Sequence, residues 1–196
     1  PLGGYGDGGA CFTQDVSLAQ RIRRISRHGQ ARRYFHADIG VNGRIDTLQA
    51  AILLAKFEIF DHEVLLRRKV SASLSAKLQR VGIKRTPTLL AGNTSVYAQF
   101  TIEVSNRSAV QAMLKSMGIP STVHYPKLLC QQPALAGRQA CSQLCKNSCG
   151  CQVAQAASEH VLSLPMHPYL RDADQELIAS AVGAAVSPTI SHHATA

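Results

Sequence analysis

Pro1-Leu2-Gly3-Gly4-Tyr5-Gly6-Asp7-Gly8-Gly9-Ala10 opens the chain and places five glycines within its first nine residues. Glycine at this density marks a backbone that passes close to something else or adopts φ > 0. Such a stretch is expected in the middle of a protein, beside a ligand or a tight turn. The chain therefore reads as the downstream part of a larger protein whose sequence continues before Pro1.

Outward from this turn, residues 10–13 read as a short buried strand. Asp15 or Ser17 is placed to cap a helix over 18–27, ended by His28-Gly29. A polar, ring-bearing loop is expected over 30–43, and Asp46 then caps a helix over 48–60. Leu48, Ala51, Ile52, Ala55 and Ile59 form its apolar stripe. A second helix is expected over 63–81, and the loop at 86–93 marks the boundary between two parts. Beyond it, 96–104 alternates like a half-buried strand, and Ser108 caps a helix that runs to Met117 and stops at Gly118. A short strand at 122–125, a helix at 154–161 and an extended 162–164 follow. Asp172 or Asp174 caps a last helix to Val186. Strand–helix–strand alternation after residue 94 indicates a small α/β or α+β domain. The expected organisation is 1–92, 93–186 and a frayed tail at 187–196.

The composition narrows the function classes. The formal charge is +9, with arginine dense between residues 21 and 44 and again between 67 and 85. Such charge suits an anionic partner, a nucleic acid or a phosphorylated metabolite, or else solvated helix faces, which is the preferred reading. Ten aromatic residues and no recognisable nucleic-acid-binding motif leave the metabolite ahead of the nucleic acid. No apolar run is long enough to span a bilayer, and the N-terminus lacks the layout of a signal peptide.

Cys11 and Cys130 look like small core residues. Cys141, Cys145, Cys149 and Cys151 crowd one short segment. The first three would share a helix face, but the paired CxxC spacing of a zinc site is missing. Metal binding and drift in a surface loop both stay open for this segment, with no metal ligand assigned.

Three further motifs carry the chemistry. They are Gly6-Asp7-Gly8-Gly9-Ala10, the run Gly40-Val41-Asn42-Gly43-Arg44-Ile45-Asp46-Thr47-Leu48-Gln49-Ala50-Ala51-Ile52-Leu53, and Val123-His124-Tyr125-Pro126, followed by Leu162-Ser163-Leu164-Pro165-Met166-His167-Pro168. In this order and with these gaps the set resembles the DegT/DnrJ/StrS family of pyridoxal phosphate (PLP) dependent nucleotide-sugar aminotransferases. The resemblance covers residues 1 to about 185. It implies an α/β chain forming the C-terminal portion of the aspartate-aminotransferase fold (PLP fold type I), namely the end of the large domain and the small domain.

The same resemblance implies what the residues do. Asn42 matches an asparagine that reaches across a homodimer interface to the partner's PLP phosphate; on spacing alone an Asx turn before the helix fits equally well. Arg44 matches a basic residue that faces a sugar carboxylate in the uronic-acid enzymes; otherwise it would form a helix-entry salt bridge, perhaps with Asp46. His124 and Tyr125 match a pair that lines the sugar pocket; by burial preference alone they would be core packing. His28 and Tyr34 are secondary candidates, while Asp7 and His167 read as structural residues. The cofactor-bearing lysine of the family would immediately precede Pro1, so no catalytic residue is assigned within the chain, and the chain by itself is expected to be inactive. The implied reaction moves an amino group from glutamate to a keto-sugar nucleotide, in the cytoplasm, for cell-surface polysaccharide, with neither nucleic acid nor membrane as partner. A rival from another class is a non-catalytic interaction protein from a truncated aminotransferase gene.

Overall fold

The computed structural model describes residues 2–135 and 151–186. Pro1, Cys141, Cys145, Cys149 and the tail at 187–196 lie outside the described residues. Packing divides the chain into two units, one ending at His62 and one beginning at Glu63.

The first unit is built on local hydrogen bonds. Helix α1 covers Val16–Ile25. Asp15 is its N-cap, accepting from the Ser17 and Leu18 amides at 2.8 and 3.1 Å, while Arg23 and Arg24 in the last turn complement the helix dipole. His28 and Gly29 follow with φ of 59° and 72° and turn the chain back. Within the expected loop, Gln30–Arg32 (β1) and Phe35–His36 (β2) pair as a short antiparallel hairpin around Tyr34, itself at φ 62°. Arg32 lies over the Phe35 ring, and Arg33 over Tyr34, both at 4.9 Å. Each cation–aromatic pair supports a turn too short for periodicity to reveal.

Helix α2 runs Thr47–Phe57, with Asp46 at the N-cap position but making no side-chain cap bond. The expected continuous helix over 48–60 breaks at Glu58, and α3 resumes at Phe60. Phe57 and Phe60 stack across this break at 5.8 Å. The strand expected at 10–13 does not form. Thr13 Oγ1 instead accepts from the Asp15 amide at 3.1 Å, and Cys11, expected in the core, is exposed because that segment stays on the surface. Among the described residues, every buried core apolar residue belongs to the second unit. Leu48 of the α2 stripe remains 76% exposed.

The second unit has a core of its own. Helix α3, Phe60–Arg80, buries Val70, Leu74 and Leu78, spaced by four and so stacked on one face. Strand β3, Phe100–Glu103, pairs antiparallel with β4, Val161–Leu164, in the register Phe100↔Leu164 and Ile102↔Leu162. Phe100, Ile102, Leu162 and Leu164 enter the core together with Val110 and Leu114 of α4, Arg107–Ser116. Removing such side chains from water contributes roughly 1.5–3 kcal/mol each. Asn106, not Ser108, caps α4 by accepting from the Ala109 amide at 3.2 Å. The strand expected over 96–104 is shorter, because Tyr97 sits at φ 47° and breaks the extension. Residues 122–125 contribute one bridge, Thr122↔Ser163, not a strand.

Helix α5, Gln152–His160, leads directly into β4, with Cys151 half-buried at its N-cap position. The last helix, α6, spans Asp172–Val186 and buries Ile178, Ala179, Ala181 and Val182. Lys77, buried on α3, reaches Asp172 at 2.5 Å and Ser73 at 2.9 Å, while Arg80 meets Glu176 at 3.2 Å. These charges clasp α6 to α3. Among the described residues no helix is long and apolar enough to cross a membrane, and no group of three or more histidine, cysteine, aspartate or glutamate side chains could hold a metal ion.

Candidate active site

In the first unit, the segment that carries Asn42 and Arg44 is laced to the end of α1 by main-chain bonds. The Val41 amide donates to Ile25 O at 2.8 Å, Gly43 to Ser26 O at 2.9 Å, and His28 to Val41 O at 3.0 Å. Two glycines make this approach possible. A Cβ on Gly29 would lie 1.7 Å from the Asp38 carbonyl oxygen, and one on Gly40 would lie 2.2 Å from the Gly29 nitrogen. Arg24 Nε holds Asp38 at 2.8 Å and pins the outer side of the loop.

So held, Arg44 donates from Nε to Asn42 Oδ1 at 3.0 Å. Neither alternative role is adopted: Asn42 Oδ1 takes a guanidinium and not a backbone amide, and no ion pair joins Arg44 to Asp46 among the described residues. Arg44 lines a cleft of about 490 Å³ shared with Tyr5, Asp7, Asp46 and Gln49. The glycine-rich segment forms one wall and is fixed to α2 where the Tyr5 amide donates to Gln49 Oε1 at 2.8 Å. Gly4 fits because a Cβ there would meet Gln49 Nε2 at 2.8 Å. Arg44 is the cation of this lining, and the carboxylates of Asp7 and Asp46 share the cleft with it. With Oδ1 engaged, Asn42 still has its Nδ2 protons, and Arg44 its two terminal amino groups.

In the second unit, His124 is half-buried and Tyr125 is 72% exposed. Their rings meet edge to face, 5.4 Å apart. His124 Nδ1 lies 3.0 Å from Ser163 Oγ, and Ser163 Oγ lies 2.9 Å from Thr101 Oγ1. Ser163 and Thr101 are functional candidates that periodicity passes over. In the sequence Ser163 appears only as a member of the motif at 162–168 with no role assigned, and Thr101 only as a hydroxyl within the expected strand at 96–104. Elsewhere in this unit, Tyr169 donates its hydroxyl to Glu63 Oε1 at 2.8 Å, and this bond to a carboxylate raises the phenol above its ordinary pKa. His28 and Tyr34 serve the turn geometry described above, and the His167 carbonyl accepts from Leu170.

The structure thus brings Asn42 to Arg44 and His124 to Tyr125, one pair in each unit. Comparison with known proteins gives this arrangement a context. The model of the DegT/DnrJ/EryC1/StrS aminotransferase family matches residues 1–183. The chain belongs to this family. It is 52% identical, over 93% of its length and 48% of the relative's, to a UDP-2-acetamido-2-deoxy-3-oxo-D-glucuronate aminotransferase of Pseudomonas aeruginosa. It is 35% identical, over 92% of its length and 47% of the relative's, to a UDP-N-acetyl-3-dehydro-alpha-D-glucosamine 3-aminotransferase of Acidithiobacillus ferrooxidans. A solved DegT/DnrJ/EryC1/StrS aminotransferase from Brucella abortus superposes with a TM-score of 0.79 at 37% identity, covering 95% of this chain and 48% of that one. The chain spans about half the length of the curated relatives it matches. Its fold is the expected portion of PLP fold type I, with mixed α/β content.

Proposed function

We propose that the chain is the C-terminal part of a PLP-dependent aminotransferase that moves an amino group from glutamate to a UDP-linked 3-keto-uronic acid. In this reading residues 1–92 close the large domain and residues 93–186 form the small one. The enzyme is a cytoplasmic homodimer with the active site shared across its interface, and it serves cell-surface polysaccharide synthesis. The observation that carries the reading is the Arg44 guanidinium, which lines the glycine-walled cleft and is held at Nε by Asn42. With Nε held by Asn42, the edge formed by the two terminal amino groups of Arg44 remains to bind a carboxylate in a bidentate fork, which a neutral sugar does not need.

PLP, when bound, supplies the electron sink through which the amino group is exchanged. This chain's residues do the binding. Asn42 donates through Nδ2 to a phosphate oxygen of the cofactor and adds no charge. Arg44 holds the sugar carboxylate and so fixes the ring in one orientation. His124 and Tyr125 line the sugar pocket, with the imidazole offering a hydrogen bond and the phenol a flat face. Each hydrogen bond to a charged group contributes roughly 1.5–3 kcal/mol, enough to order a polar substrate.

The test offers the complete enzyme glutamate with a UDP-linked 3-keto-uronic acid or with its neutral 3-keto-hexose counterpart. The expected result is an amino sugar and 2-oxoglutarate in equal amounts, formed faster from the uronic acid. Equal or faster turnover of the neutral sugar removes the uronic-acid assignment. No turnover of either favours the non-catalytic reading.

A further inference from the structure

We propose that Ser163 is a positioning residue for His124: its hydroxyl, backed by that of Thr101, fixes the imidazole ring so that Nε2 is the edge presented to substrate. The inference rests on the pocket role proposed for His124 and extends it to two residues that meet the ring from the sheet.

The geometry begins in the sheet. In the β3–β4 register Thr101 faces Ser163, between the inward pairs Phe100↔Leu164 and Ile102↔Leu162. Side chains alternate along a strand, so Thr101 and Ser163 share the face opposite the core pairs. Their hydroxyl oxygens lie 2.9 Å apart. The segment that carries His124 is tied to the same residue. Thr122 and Ser163 exchange both main-chain bonds, Ser163 N to Thr122 O at 2.8 Å and Thr122 N to Ser163 O at 3.1 Å. The backbone of Ser163 thus holds the strap, and its side chain receives the ring two residues along, at Nδ1 and 3.0 Å.

Engaging Nδ1 has a chemical consequence. The two ring nitrogens lie on opposite edges, so a ring bound at Nδ1 turns Nε2 away from the sheet. The partner at one nitrogen also governs which proton the other carries. Hydroxyls both donate and accept, so the Thr101–Ser163 pair serves either direction. With Thr101 donating to Ser163 and Ser163 donating to Nδ1, Nε2 carries a proton and donates. With both bonds reversed, Nε2 accepts. A carboxylate in the place of Ser163 would only accept, and so would fix a proton on Nδ1. The hydroxyl pair therefore fixes where the ring points and leaves open whether it gives or takes a hydrogen bond. Ser163 is only 5% exposed, so water does not take over its role.

The experiment is a double-mutant cycle in the complete enzyme, reading kcat/KM for the sugar nucleotide, together with the side-chain nitrogen spectrum of 15N-histidine-labelled protein. The His124 signals are assigned by their loss in His124→Ala. Ser163→Ala is expected to lower kcat/KM about tenfold when His124 is present and less than about twofold when it is already alanine, as residues acting in series require. The same substitution should shift the His124 nitrogens and leave the other histidines in place. Thr101→Val, which keeps the shape and removes the hydroxyl, should shift them in the same sense, and Thr101→Ser should restore them. Unmoved His124 nitrogens in Ser163→Ala, or an equal loss of kcat/KM in both backgrounds, overturn the inference. If the nitrogens move while His124→Ala leaves kcat/KM unchanged, the positioning stands and the pocket role of His124 is what fails.

Discussion

Arg44 and Asn42 are joined by a hydrogen bond of 3.0 Å from guanidinium Nε to amide Oδ1. The bond orients both side chains at once. It turns the amide so that its NH2 is free to donate, and it fixes the plane of the guanidinium. A substitution at either position loosens the other, so the two roles proposed for them are separated with PLP at saturation, by comparing substrates.

Arg44→Ala in the complete enzyme is expected to depress kcat/KM for the carboxylated sugar by more than about tenfold, or at least about 1.4 kcal/mol, and barely to change the neutral analogue. Arg44→Lys should recover only part, because a point charge does not reproduce the fork. Steady-state kinetics with both substrates decide this. Equal loss on both would make Arg44 a structural residue.

Asn42→Ala is expected to weaken PLP retention by roughly 1.5–3 kcal/mol, the worth of a hydrogen bond to a charged group, with the dimer intact. The cofactor dissociation constant is read by absorbance and the assembly state by light scattering. An unchanged constant removes Asn42 from the phosphate contact.

Gly183→Ala is expected to destabilise the second unit even though alanine is the better helix former. The new Cβ would lie 2.7 Å from Val81 Cβ, inside any normal contact. Overpacking of this kind costs about 1–3 kcal/mol, against a propensity gain of about 1 kcal/mol. Denaturant unfolding should show the loss, and adding Val81→Ala should restore most of it. A stabilised single variant would contradict the packing of α6 on α3.

Asp15 supplies a pH-dependent contribution to α1. Its hydrogen bonds from the Ser17 hydroxyl and the Leu18 and Ser17 amides lower its pKa below the ordinary 3.8. A carboxyl with a depressed folded-state pKa stabilises the fold above its unfolded value and loses that contribution as pH falls through the folded one. Helicity of α1 should therefore hold at neutral pH and decline below about pH 4. In Asp15→Asn, circular dichroism should show a smaller acid dependence, and an unchanged profile would remove the cap from the account.

Much of the local structure is legible in the sequence. The helices over 63–81 and up to Val186, Asp15 as a cap and the extended 162–164 all follow from periodicity and side-chain chemistry, and the structure reproduces them. The ordered motifs around Gly6, Asn42 and His124 also point to the family without any coordinates. What periodicity misjudges is whatever depends on a partner. A strand at 10–13 needs a neighbour to satisfy its backbone, and none pairs with it among the described residues. The helix over 48–60 breaks at Glu58, where Phe57 and Phe60 stack across the gap. The hairpin at 30–36 rests on a positive φ at Tyr34 and on arginines lying over rings, neither of which has a period.

The sequence by itself determined where most of the helices lie and the candidate residues Asn42, Arg44, His124 and Tyr125. Each of these is written in local spacing or in a short motif. Tertiary structure alone decided which atoms those residues meet. Arg44 binds Asn42 and not Asp46, because main-chain bonds to the end of α1 set the loop between them. His124 reaches Ser163, distant in the chain, because an antiparallel register places Ser163 opposite Thr101 and beside Thr122. Hydrogen-bond partners of this kind are fixed by register and loop closure, and those depend on contacts between residues far apart in the chain.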